Sequence, residues 1–373
     1  MAIEGELVVR FATTGGRVTR VQARAERPRV AGRLFTGRAA AEAAPLAGAL
    51  FAICGRSQAI AAAAAVEAAM GEDEAAPRRL SRNARIAAET LHEHAWRLLV
   101  DWPKLAGRMP EVEALSGARK ALAPLLAAEE GADLRDAVRD ACAWTQQAIF
   151  GRTPAQFLAM AATQSLLAWT QEAGTPVARL AAGMLAEHAT LGASDVVFLP
   201  SGSDEWVARD LVAALDGDDG FDDVPHWQGE ARETGPLART AGHPLVADAV
   251  ARWGRGVGAR LAARLVEIAL VLEALERDSG AGHGAVRVDG SSAIAWVETA
   301  RGLLVHRVVL DGDRIAGYRI VAPTEWNFHP AGAFARGALG MAAGDDGRLE
   351  DRLRWLVASL DPCVGVRFEA GHA

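Results

Sequence analysis

Cysteine is scarce in this chain: the 373 residues hold three, Cys54, Cys142 and Cys363. So few, in so long a chain, cannot form the disulfide framework of a small secreted fold, and they suit a reducing cytosol. Lysine is very rare beside arginine, which together with abundant alanine and glycine reads as a genomic composition bias and supports no stability argument. A basic patch or basic tail is also missing, and with a net charge of −7 nothing points to nucleic acid. The start, MAIEGELVVR, places two glutamates where a signal peptide needs a basic end and an apolar run. The expected location is therefore cytoplasmic. The most apolar stretch, AGALFAICGRSQAIAAAAAVEAAM, is interrupted by Arg56, Gln58 and Glu67, so it predicts a buried Ala-rich helix rather than a membrane span.

What the chain does have is a 50% hydrophobic composition, ample for a sizeable core. Residues 6–12 and 17–25 alternate around a TTGG turn and predict a β-hairpin. Helical patterns follow over 39–70, 78–101, 119–128, 131–149, 154–173 and 176–188, separated by Gly or Pro breaks. Residues 190–243 read as irregular, with an acidic loop DGDDGFDD. A long helix is expected over about 244–277, then strands near 285–298, 303–311 and 314–321, and a helix near 348–359 leading into the Cys363 tail. The fold class is α+β, predominantly helical, in a single domain over 1–373. Its parts are an N-terminal hairpin (5–25), a helical body (39–277) and a C-terminal β segment with a cysteine tail (285–373).

Cys54 lies at the start of the Ala-rich helix, where the positive end of the helix dipole favours a thiolate and Gly55 allows close approach. On composition alone a buried cysteine among alanines is the stronger reading, and Cys363 taken alone reads the same way. Cys142, mid-helix in RDACAWTQQ, reads as core. His92 and His94 are two apart on a helix and so do not face one metal; one is expected buried and hydrogen-bonded, the other on the surface.

The surrounding residues change that balance. IEGEL (3–7, with Glu4), LFTGR (34–38), NARIAAETLHEHAWRLL (83–99), ETGPLAR (233–239), VETARGLLVH (297–306), YRIVAPTEWNF (318–328) and LDPC (360–363) stand in an order that resembles the large subunit of nickel–iron hydrogenases. The resemblance implies that family's fold, in shortened form. The departures carry as much meaning. The family holds nickel and iron through two Cys-x-x-Cys pairs. Here Cys54 falls on the bridging position of the first pair with Phe51 in place of its partner, and Cys363 falls on the first position of the second with Val366 in place of the bridging cysteine. Glu369 stands where a histidine is expected, and no long C-terminal peptide is expected beyond it. Nickel in this family needs four thiolates, so ligand counting argues against stable nickel and makes hydrogen activation a poor expectation.

By the same resemblance Arg301 matches an arginine that hydrogen-bonds a cyanide of the family's iron, and Pro323 and Thr324 match a loop that meets the other cyanide. A guanidinium fork or a hydroxyl satisfies an anionic acceptor in a buried place. A salt-bridged core arginine and an ordinary turn threonine are the bland alternatives. Thr299-Ala300 in place of the family's Ala-Pro is expected to loosen the strand before Arg301. The chain is similar to accessory proteins of the HupK/HoxV type. That similarity implies a non-enzymatic scaffold holding an Fe(CN)2CO unit on Cys54 and Cys363, in one cavity with room for a single metal, before transfer to the apo large subunit. Accessory proteins of the HypC/HypD type are the implied partners. An altered but active hydrogenase, or a metal-free mimic of the large subunit, are the competing readings. Glu4 is expected to brace the loop near Cys54, and Trp326-Asn327 to lock the loop that bears Thr324.

Overall fold

In a computed structural model of the chain, residues 5–26, 30–51, 53–279, 282–342 and 348–371 are described. The first alternating runs form the expected hairpin, β1 (Glu6–Thr14) antiparallel to β2 (Arg17–Glu26), with Leu7, Val9 and Phe11 in the core. The Ala-rich stretch does not run as one helix over 39–70. It breaks into Ala43–Leu50 and Gly55–Met70, with the Cys54 segment as the elbow. The elbow is tight because a Cβ on Gly55 would come within 2.7 Å of the Gly48 carbonyl oxygen. A second expected helix also divides, at Gly254–Gly256, into Pro244–Trp253 and Val257–Glu276.

The Val257–Glu276 helix is buried without interruption from Val257 to Ala269 and runs through the largest core cluster. A helix covered on all sides belongs in an interior. This one nevertheless carries Arg260, Arg264 and Glu267 within its buried stretch. Buried charges are tolerated only when paired, so the sequence of this helix demands an ionic network around it.

The second β segment is an antiparallel meander in the order β3 (His283–Arg287), β4 (Ser292–Thr299), β5 (Gly302–Asp311), β6 (Arg314–Val321). The single strand expected over 285–298 is thus two strands. The Gly55–Met70 helix lies on this sheet, with Ala62, Ala65 and Ala69 clustering with Ala293 and Ala295. Small side chains on both faces let the helix backbone approach the strands. Residues 190–243, read as irregular, contain short helices at Asp204–Trp206, Val212–Gly217 and Pro236–Thr240.

After the Leu349–Leu360 helix the tail is also structured: β7 (Gly365–Gly371) pairs in parallel with β1, Leu7 opposite Val366. The two ends of the described chain are therefore neighbours in one sheet. Cys363, two residues before β7, is held by that register. Among the described residues, no helix is long and apolar enough to cross a membrane.

Candidate functional site: two distant cysteines and a buried arginine

Cys54 is buried at the N-cap of the Gly55–Met70 helix. The first N–H groups of that helix are taken by a carboxylate from the Ala76–Trp96 helix. Glu89 Oε1 accepts from the Arg56 N–H at 2.9 Å, and its Oε2 accepts from the Ser57 N–H at 2.9 Å and from the Ser57 hydroxyl. The expectation of a thiolate favoured by the helix dipole is corrected here. Burial, then the nearby Cys363 and Glu89, push the Cys54 thiol up, and the opposing pulls of Arg301 and of the Gln58 hydrogen bond do not prevail. The positive end of the dipole is already neutralised by Glu89. The Gln58 carboxamide lies 3.7 Å from the Cys54 sulfur.

Cys363 arrives from the other end of the sequence. Its sulfur is 3.2 Å from Thr324 Oγ1, and its N–H donates to the same oxygen at 3.3 Å. Thr324 and Pro323 occupy the first turn of the short Pro323–Asn327 helix, both buried. The cysteines form no disulfide.

Arg301 sits between β4 and β5 and is 3% exposed, so its guanidinium does not face solvent. Its Nη2 donates to Glu93 Oε2 at 2.8 Å, its Nε pairs with Asp361 Oδ1 at 3.3 Å, and its Nη1 is buried with no hydrogen-bond partner. Burial alone would lower its pKa, but Asp361, Glu93, Cys363 and Cys54 outweigh that and hold it charged. Both sulfurs therefore lie near one guanidinium.

Asp361, two residues before Cys363, is the hub on the protein side. Its carboxylate meets Arg97 Nε at 2.6 Å, Arg264 Nη1 at 3.0 Å and Arg301 Nε at 3.3 Å. Burial opposes its ionisation, yet the three guanidiniums hold it far below the usual carboxylate range. From Arg264 the network continues to His94 Nδ1 at 2.8 Å, then from His94 Nε2 to Glu267 at 2.7 Å, then to Arg239 and Glu298 at 2.6 Å each. These are the partners that the buried Val257–Glu276 helix required.

The loops around Arg301 are fixed by close contact. Gly235 has φ +114°, and a Cβ there would lie 2.8 Å from the Arg301 carbonyl oxygen. Asn327 accepts from the Thr234 N–H at 2.9 Å and donates to the Arg301 carbonyl at 3.4 Å, and Trp326 is fully buried against Phe221, the locking role expected of the pair. The expected loosening before Arg301 is overturned. Thr299 Oγ1 donates to the Gly302 carbonyl at 2.9 Å and accepts from the Arg301 N–H at 3.2 Å, closing the turn that proline would have stiffened.

The structure thus brings Cys54, Cys363, Arg301 and Thr324 together, with Pro323 beside Thr324 in the same buried helical turn. The Thr324 hydroxyl, expected to meet a cyanide, lies against the sulfur and N–H of Cys363. His94 is the buried, hydrogen-bonded histidine; His92 is half-buried beside Glu93 rather than on the surface. Val366 is half-buried and packs against the main core. Glu4 lies outside the described residues. A small space borders Arg301. The space there measures about 10 Å³, enough for roughly one water, and is lined by residues including Arg264, Arg301 and Asp361, with neither sulfur among them. Among the described residues, no group of three or more His, Cys, Asp or Glu gathers as a metal cage. Glu89, Glu93 and Asp361 were missed as site residues. A capping carboxylate thirty-odd positions from its helix leaves no local signal, but the Asp of LDPC stands two residues before a named ligand and was legible.

No family profile matches the chain. The chain is 34% identical over 305 residues to the hydrogenase expression/formation protein HoxV of Cupriavidus necator, covering 75% of each. It is 34% identical over 312 residues to the hydrogenase expression/formation protein HupK of Rhizobium leguminosarum bv. viciae, covering 79% of this chain and 77% of that one. Among solved structures it superposes on the Ni-Fe-Se hydrogenase of D. vulgaris Hildenborough in the as-isolated oxidised state, with a TM-score of 0.65, 14% identity and 95% of each chain covered. That likeness establishes a hydrogenase large-subunit fold in an α+β, helix-dominated chain.

Proposed function

Because the chain belongs to the HoxV/HupK family of hydrogenase expression/formation proteins, we propose that it is a maturation scaffold rather than an enzyme. Its cargo is an Fe(CN)2CO unit, held on Cys54 and Cys363 before transfer to the apo large subunit, with accessory proteins of the HypC/HypD type as further partners. The observation that carries this reading is the Arg301 Nη1 group, a buried charged donor without a hydrogen-bond partner, on a guanidinium close to both cysteines. A buried donor of this kind is costly unless an acceptor arrives, and a cyanide nitrogen is an anionic acceptor. Thr324 would steady the Cys363 sulfur rather than meet the cargo. Pro323 shapes the turn that presents it. Two thiolates with three diatomic ligands leave iron an open position, so release need not break a closed cage. With Phe51 and Val366 in place of two cysteines, nickel is not expected.

A second reading has one observation in its favour. The small space beside Arg301 suits a metal-free mimic of the large subunit that acts through its surface. Infrared spectroscopy separates the two. Protein purified anaerobically from a host that makes the iron unit is expected to show cyanide and carbonyl stretches, lost in Cys54→Ser and in Cys363→Ser. Absence of those bands with partner binding retained would favour the mimic.

A further inference from the structure

The Cys54 sulfur stands at the end of a buried polar chain that begins on the β5–β6 hairpin. Tyr318 Oη lies 2.7 Å from His306 Nδ1, His306 Nε2 lies 2.9 Å from Gln58 Oε1, and Gln58 Nε2 lies 3.7 Å from Cys54 Sγ. Tyr318 is 5%, His306 0% and Gln58 1% exposed, so all three links of the chain are buried. We propose that His306, polarised by Tyr318, fixes the orientation of the Gln58 carboxamide and so presents an N–H donor, not a carbonyl, to the Cys54 sulfur.

The direction follows from satisfying each group in turn. A carboxamide can be turned over with little change of shape, so its own geometry does not decide which end faces the sulfur. The phenol does. Its ring is stacked on Phe35 at 4.1 Å, and its buried O–H has His306 Nδ1 as its one hydrogen-bond neighbour among the described residues. Were Nδ1 protonated, it would donate to the phenol oxygen and the phenol hydrogen would be left buried without an acceptor, at a cost of roughly 1–3 kcal/mol. The phenol therefore donates to Nδ1, and the neutral imidazole carries its proton on Nε2. That proton goes to Gln58 Oε1, and the amide nitrogen is left facing Cys54. Burial holds the imidazole neutral by pushing its pKa down to about 3. His306 touches no sulfur and is a positioning residue. Its relevance to a bound iron rests on the reading above: an N–H bond to a ligating sulfur fixes the sulfur's direction and draws on its electron density.

The test uses the full metal-free chain, so it can fail or succeed whatever the infrared bands show. Nitrogen-15 NMR of histidine-labelled protein should show one imidazole protonated on Nε2 with Nδ1 as acceptor, assigned to His306 by its loss in His306→Leu. The Gln58 side-chain N–H signals, assigned with Gln58→Leu, should lose their hydrogen-bonded shift in His306→Leu. Should that variant fold poorly, Tyr318→Phe removes only a hydroxyl, and its His306 should become a mixture of tautomers. A wild-type His306 protonated on Nδ1, or a Tyr318→Phe protein with the tautomer unchanged, would overturn the proposal.

Discussion

Cys54 and Cys142 both lie at helix positions in alanine-containing runs, yet their surroundings have little in common. Cys142 is half-buried and donates to Glu276 at 3.5 Å, with burial and then Glu276 pushing its thiol up to about 12. The Cys54 thiol is pushed up as well, by burial, Cys363 and Glu89, so protonation does not separate the two and the company each sulfur keeps does. Cys54 lies in a place that also receives Cys363, the Arg301 guanidinium and an amide donor. The difference teaches that ligand quality is set by what the tertiary fold delivers. Cys363 and Arg301 reach Cys54 because β7 pairs with β1 and because the β4–β5 turn is held by Thr299.

The sharpest way to break the comparison is to remove the sulfurs one at a time. Cys54→Ser and Cys363→Ser should each abolish bound iron and hydrogenase maturation, read by iron content and by activity of the recipient hydrogenase. Cys142→Ser should leave both nearly unchanged, and equal loss in all three would mean that stability had been mistaken for ligation. Next in size is Asp361→Asn, which strips the charge shared by Arg97, Arg264 and Arg301. Uncompensating a buried ionic cluster should cost about 3–5 kcal/mol, measured as a lower denaturant midpoint; Asn tolerates the left-handed backbone there (φ 57°), so the loss reports charge. Arg301→Lys keeps the charge and loses the fork. It should weaken iron retention about 10–100-fold, the usual size for a supporting contact, with the fold intact by circular dichroism.

A smaller effect concerns pH. Burial opposes ionisation of Glu267 and Glu74, but Arg239 and His94 around the first, and His283 and Arg82 around the second, lower both from 4.5 to about 2. A depressed carboxylate pKa contributes stability that is present above the unfolded value and lost as pH falls through the folded one. The unfolding midpoint should therefore drop between pH 4.5 and about 2, and Glu267→Gln should flatten part of that drop.

Much of this was legible in the sequence. The N-terminal hairpin and the two strands beyond residue 300 that follow the expected bounds were readable because period and turn residues carry them, and motif order pointed to Cys54 and Cys363 as one candidate pair. The elbow at Cys54 was not, because an Ala-rich run reads as helix on both sides of it and only the Gly48–Gly55 contact reveals the break. The Cys363 tail gave no sign of being a strand, since its pairing partner lies at the opposite end of the chain. Likewise Glu89 and the His306–Gln58 link depend on contacts between residues far apart in sequence, which no local pattern encodes.

X-ray absorption at the iron edge of the loaded chain tests the shared site most directly. Two sulfur neighbours per iron are expected in the wild-type protein and in Cys142→Ser, with one in Cys54→Ser or Cys363→Ser should any iron persist. An iron shell of oxygen and nitrogen alone, or two sulfurs retained after either ligand is replaced, would contradict the account.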